Sequence, residues 1–374
     1  MTLRASRTVA LLAFAIGCTK AVQQSLEEPQ REAARDAARE AAPERDASAP
    51  EAGASQGADA QAEFDDPMAL HHESREALLA LFSVQEYAPE RSARLRPDLF
   101  LNNNFGPTPS RMSQGNKAIA HHSIGKRACL EGLSGVTLQT EAQRSRCGSP
   151  NMVPIYKGGA EKSATTCVDI FEFPNQACEL PIVWSPPTHA ATLCALQGKR
   201  LCTQGEWQLA CRGDPSGGPD RRYAYGDALD LSVCNTHKKR VGSCDPHTAQ
   251  RAYQTCGTDT EPSGAFPACR SRFGVYDQHG NVAEIMTRKE DATHTVTQLK
   301  GSAFFYSEVM RPSDAEFASA IAAKAPLPKP PADRETYPDT CNFDPRWHVE
   351  PIENAWHVNY HLGFRCCKTV APEP

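Results

Sequence analysis

The stretch Gly198-Lys-Arg-Leu-Cys-Thr-Gln-Gly-Glu-Trp207 decides how this chain is read. Thr203 and Glu206 stand at the spacing of a capping box, in which the threonine oxygen and the glutamate side chain satisfy free amides at a helix start. A helix over 203–211 follows, and a second is expected over 188–196, after Pro186 and Pro187. Away from these segments the chain from residue 152 onward is a series of short apolar runs broken by Gly, Pro, Asn and Asp, which predicts a loop-rich α+β domain. Such a domain needs staples, and cysteines run through it from Cys167 to Cys367, so disulfides are expected.

Further motifs stand on either side. Cys167-Val-Asp-Ile-Phe-Glu-Phe-Pro-Asn175 comes first, and the GKRL stretch continues into Ala210-Cys211-Arg212-Gly213. Tyr225-Gly226-Asp227, Cys234-Asn235 and Phe273-Gly-Val-Tyr-Asp-Gln-His-Gly-Asn-Val-Ala-Glu284 follow, and Leu362-Gly-Phe-Arg-Cys366 closes the series. In this order the motifs resemble the formylglycine-generating enzyme, or sulfatase-modifying factor, family over residues 152–368. The resemblance implies a variant of the C-type-lectin fold.

The family's oxidase activity, as the resemblance implies it, uses two cysteines five residues apart after an Arg/Lys-Gly-Gly-Ser segment. They bind copper(I) and activate oxygen to turn a substrate cysteine into formylglycine. Here the segment is Lys300-Gly-Ser-Ala-Phe-Phe-Tyr-Ser-Glu-Val-Met310, and spacing puts Phe305 and Met310 at the two positions. A soft monovalent ion requires thiolates, so copper is not expected and a non-catalytic binding or scaffolding module is. The alternative is a divergent oxidoreductase of the same family, acting on protein cysteine or another small substrate. The family's iron-dependent branch uses His-x₃-His-x-Glu. His71-His72 and His121-His122 lack that spacing, and adjacent helical residues point about 100° apart, so these histidines read as solvent-facing. Ser163, Ser185 and Ser302 sit in no G-x-S-x-G elbow, and there is no G-x-G-x-x-G, GKS/GKT or H-E-x-x-H.

Asp277, Gly280, Val282 and Glu284 make a candidate calcium site. Two carboxylates can bracket a hard cation, and in an extended segment carbonyls two residues apart point the same way. The family pattern that this spacing resembles uses the same positions, so structural calcium is the expected cofactor. Of the family's second calcium site, Asn235 matches the first ligand, but 255–257 supplies no carboxylate.

Cys129 and Cys147 are placed to close an 18-residue loop. The resemblance implies a bond between Cys194 and Cys366. The family partner of Cys211 is replaced by Ala315, leaving Cys341 as first choice and Cys367 as alternative. The connectivity of Cys167, Cys178, Cys202, Cys234, Cys244, Cys256 and Cys269 is not deducible from sequence. Trp347, His348, Trp356 and His357 suit either a groove for sugar or peptide or a set of core anchors.

At the N-terminus, Arg4 and Arg7 precede an apolar run ending in Ala15-Ile16-Gly17-Cys18. This is an export signal, too short to span a bilayer, and it resembles a bacterial lipoprotein box with lipidation at Cys18. Removing Cys18 from the fifteen cysteines leaves an even fourteen. Residues 19–65, rich in Ala, Glu and Arg, bury almost nothing and are expected to be a disordered linker. Residues 66–150 form an N-terminal extension, with a helix expected over 68–87, and 151–374 the main domain. The proline-dense stretch 324–338 is expected to be an exposed loop or strap. The expected location is the bacterial cell envelope, and Thr19 after the cysteine favours the outer membrane. The expected partners are an envelope peptide or glycan and, through the lipid, the membrane. With a net charge of −5 and 7% aromatic residues, nucleic acid is excluded as a partner.

Overall fold

Helix formation at the deciding stretch is local. In the computed structural model Thr203 Oγ1 accepts from the Glu206 amide and the Glu206 carboxylate accepts from the Thr203 amide at 2.8 Å. The structure describes residues 64–82, 112–236, 238, 244–245, 248–304, 323, 340–342, 350–352 and 357–371, all within one compact unit, Ala52–Pro374. Cys18, the linker up to residue 63, Phe305, Met310, the stretch 324–338, and Trp347, His348 and Trp356 lie outside the described residues.

The described helices are α1 (Arg75–Leu81), α2 (Lys126–Gly132), α3 (Glu141–Cys147), α4 (Pro187–Leu196), α5 (Gln204–Arg212) and α6 (Ala249–Thr255). In place of one helix over 68–87, a 3₁₀ turn at Pro67–Leu70 precedes α1. The reason is two separate caps: Asp66 accepts from the Met68 amide and Ser74 from the Ala77 amide, with extended backbone at His71 between them.

Strands β1 (Met152–Ile155), β2 (Thr166–Asp169), β3 (Arg200–Leu201) and β8 (Cys366–Thr369) make an antiparallel sheet in the order β1-β2-β8-β3. Strands β4 (Ala283–Lys289), β5 (Thr295–Lys300), β6 (Glu350–Pro351) and β7 (Leu362–Phe364) make a second, in the order β6-β5-β4-β7. In this sheet β4 runs parallel to β7 and antiparallel to β5. Arg365 is the one residue between β7 and β8, where the chain leaves one sheet and enters the other.

One core cluster gathers Phe171, Trp207, Val275, Tyr276 and Met286. Another gathers Phe82, Phe173, Leu193, Leu299 and Phe364, with Phe173 stacked on Phe364 at 4.6 Å between ring centroids. Lys199 and Asp169, both fully buried, pair at 2.7 Å beneath β8. The Asp169 carboxylate also accepts from Asn175 Nδ2 and the Cys366 amide, so its charge is well partnered.

Seven disulfides cross-link the domain: Cys129–Cys178, Cys147–Cys167, Cys194–Cys366, Cys202–Cys367, Cys211–Cys341, Cys234–Cys269 and Cys244–Cys256. Cys341 thus bonds Cys211, while Cys367 is taken by Cys202. The expected loop between Cys129 and Cys147 is not formed. α2 turns Cys129 into the cluster of Phe171 and Cys178, whereas α3 ends against β2, where Cys147 packs with Met152 and Cys167. Nearness in sequence is overridden by the different surfaces that the two helices bury.

Candidate functional site

The segment Asp277–Asn281 leads into β4 through three residues of positive φ: Asp277 (57°), Gly280 (80°) and Asn281 (57°). At Gly280 the conformation and the space both demand glycine, since a Cβ there would stand 2.3 Å from the Asn235 carbonyl oxygen. The turn places the Asp277 carboxylate inside the protein, where Oδ2 accepts from the Gly264 amide at 2.7 Å.

Arg365 fills the junction of the two sheets with every donor engaged. Nε donates to Glu284 Oε2 at 2.7 Å, Nη1 to the carbonyls of Asp169 and Ile170, and Nη2 to the Tyr276 carbonyl and Glu284 Oε1. Glu284 Oε2 accepts a further bond from Trp207 Nε1 at 2.7 Å. A third acid, Glu172, faces the same centre. Its Oε1 accepts from the Val282 amide at 3.0 Å, and Oε2 accepts from Asn281 Nδ2 and Ser263 Oγ.

Three buried carboxylates therefore share one guanidinium. Burial pushes the Asp277 carboxyl up to about 7, against the pull of the Gly264 amide and Arg365. Glu172 is raised well above the carboxylate range by burial first, then by the charges of Asp277 and Glu284. Such a cluster takes up protons or a cation to relieve its surplus negative charge.

The expected calcium ligands are only partly suited to this. Asp277, pushed toward its neutral form by burial, is the acid with more to gain from a cation. Glu284 fits less well, because both its oxygens are engaged by Arg365 and Trp207. The acid that sequence reasoning missed is Glu172. It stands in the 167–175 motif three residues before Asn175, in the bend that follows β2, and nothing local says that its charge is felt by Asp277. Val282 is packed among Val183, Trp184 and Phe304.

Elsewhere, His357 lines an apolar recess with Pro187, Ile285, Thr297, Gln298, Leu299 and Leu362. The histidines expected to face solvent do not all do so. His71 and His122 are buried, with His71 Nδ1 2.9 Å from His122 Nε2 and His122 Nδ1 2.6 Å from the Thr260 carbonyl. Burial lowers both to about 4. In the remaining members of the two pairs, His72 is partly exposed and His121 lies on the surface beside Asp259.

Fold and site define a disulfide-stapled α+β domain whose two sheets meet at a buried arginine–carboxylate cluster. The chain belongs to the family described as the sulfatase-modifying factor enzyme 1-like domain, whose model matches residues 172–369. It is 30% identical over 110 residues to the inactive C-alpha-formylglycine-generating enzyme 2 of Mus musculus, covering 29% of this chain and 32% of that one. It is 25% identical over 190 residues to the formylglycine-generating enzyme of Mycobacterium tuberculosis, covering 50% and 56%. The chain thus matches between 32% and 56% of the length of these curated relatives. Among solved structures it is similar to CarF, with a TM-score of 0.34 and 13% identity over 59% of this chain and 94% of the other.

Proposed function

We propose that this chain is an envelope lipoprotein whose sulfatase-modifying-factor domain binds or scaffolds rather than oxidises. The observation that carries the reading is the state of the cysteines: seven disulfides engage fourteen of the fifteen. The fifteenth is Cys18, at the end of the apolar export signal, where a lipid would be attached. The oxidised domain keeps no thiolate for copper(I), and Phe305 and Met310 stand by spacing where the family's two copper cysteines would be. Neither an aromatic ring nor one thioether replaces a thiolate pair. The name of the mouse relative, an inactive enzyme, agrees with this reading.

The loop-rich, two-sheet architecture is read as a variant of the C-type-lectin fold, which presents loops to a ligand, here a peptide or glycan of the envelope. Calcium is proposed as a structural cation held by Asp277 and the carbonyl oxygens of Gly280 and Val282, without the Glu284 side chain. The lipid would hold the domain to the membrane, with the outer membrane favoured.

The test is to supply the oxidised full chain with copper(I), oxygen and a cysteine-containing peptide and to look for the aldehyde product by mass spectrometry. No aldehyde is expected, and turnover would establish the rival reading of a divergent oxidoreductase. Cys18→Ala should move the protein from the membrane to the soluble fraction and abolish incorporation of labelled fatty acid.

A further inference from the structure

The disulfide between Cys211 and Cys341 lies against the imidazole of His279. Nε2 of His279 is 3.4 Å from Cys211 Sγ and 3.8 Å from Cys341 Sγ. Among the described residues, these are the only three His, Cys, Asp or Glu side chains whose ligating atoms all lie within 4.8 Å of one another. All three are buried. Nε2 accepts the Ala224 amide proton at 3.0 Å, so this nitrogen carries no proton of its own and is in the form that ligates metals.

The spacing matches a tetrahedral ion. With Zn–N about 2.05 Å and Zn–S about 2.3 Å, nitrogen and sulfur ligands stand about 3.6 Å apart and two sulfurs about 3.8 Å apart. The imidazole nitrogen already stands near that distance from both sulfurs, and only the sulfur–sulfur bond has to open. Contacts other than the disulfide hold the donors in place. Cys211 sits on α5, the Cys341 amide donates to the Arg222 carbonyl at 2.9 Å, and the His279 ring is flanked by Tyr223 and Tyr225 at 5.6 and 5.5 Å.

We propose that reduction of this disulfide converts Cys211, Cys341 and His279 into a three-donor site for a zinc-type cation, making the pair a redox-gated metal site. A dithiol supplies the two electrons and two protons: its own sulfurs join as a disulfide while the Cys211–Cys341 bond breaks to two thiols. The incoming cation displaces both thiol protons, Nε2 exchanges the Ala224 amide for the metal, and water completes the tetrahedron. The inference does not depend on the binding-module reading, which concerns the oxidised domain.

The experiment equilibrates the full chain in a graded series of dithiol redox buffers, with and without fixed free zinc. Free thiols are then alkylated, and each of the seven pairs is quantified by mass spectrometry. With zinc a hundredfold above its dissociation constant, the reduced-to-oxidised ratio of Cys211/Cys341 should rise about a hundredfold, and the other six ratios should stay put. His279→Gln, which keeps an acceptor for the Ala224 amide, should cut that shift at least tenfold. Cobalt(II) in place of zinc should give a thiolate-to-cobalt charge-transfer band in the wild type. A zinc-independent ratio at this pair, an equal zinc effect on all seven pairs, or a full shift in His279→Gln would each overturn the proposal.

Discussion

Arg365 Nε donates to Glu284 Oε2 at 2.7 Å and Nη2 donates to Oε1, with both side chains out of solvent. This bidentate pair stands where the chain passes from one sheet to the other, so it fastens the sheets together as well as neutralising one acid. Removing the cation alone would leave Glu284, Glu172 and Asp277 with no positive partner in the cluster. Arg365→Met should therefore destabilise the fold by about 3–5 kcal/mol, read as a lowered urea midpoint. A loss below about 1 kcal/mol would mean that the acids are already protonated without it.

Lys199 tests the same physics at a second place. Lys199→Met strips Asp169 of its buried ammonium while leaving the Asn175 and Cys366 bonds. Equilibrium unfolding should show a loss of about 3–5 kcal/mol. Adding Asp169→Asn should restore part of it, because the uncompensated charge is what costs.

The staples should differ in weight. Cys194–Cys366 spans 172 residues and Cys244–Cys256 only 12. On chain entropy, opening the first by paired alanine substitutions should cost about 2 kcal/mol more than opening the second. Thermal unfolding of the two double variants checks the order, and the reverse order would point to strain in the longer link.

The His71–His122 contact should make the fold acid-sensitive. Both rings titrate at about 4 when folded, below the ordinary value of 6.5, so between those limits the unfolded chain binds more protons. Stability is then complete above pH 6.5 and falls as the pH drops toward 4, by about 1.4 kcal/mol per pH unit for each histidine. Lys117, His72, His121 and Lys238 add positive charge around the pair. Denaturant midpoints across this range should flatten in His122→Gln, and an unchanged slope would remove the pair as its source.

Calcium, if it occupies the carboxylate cluster, should raise the melting temperature of the wild type at pH 8 and leave Asp277→Asn unmoved. Glu284→Gln should keep the response, since that side chain is committed to Arg365 and Trp207. Loss of the calcium response in Glu284→Gln alone would reinstate Glu284 as a ligand.

The sequence by itself determined the features that depend on near neighbours or ordered motifs. Thr203 and Glu206 cap α5 within a single turn, and the motifs from Cys167 to Cys366 place the chain in its family. Tertiary structure alone decided the partnerships. Cys129 meets Cys178 rather than Cys147, His71 meets His122, and Glu172 joins Asp277 and Glu284. These contacts cross 49 to more than 100 residues of chain. Which side chain reaches which is set by the faces that helices and sheets bury against one another, and short-range pattern holds no record of that. The same packing brought His279 against the Cys211–Cys341 bond, turning an expected staple into a candidate metal site.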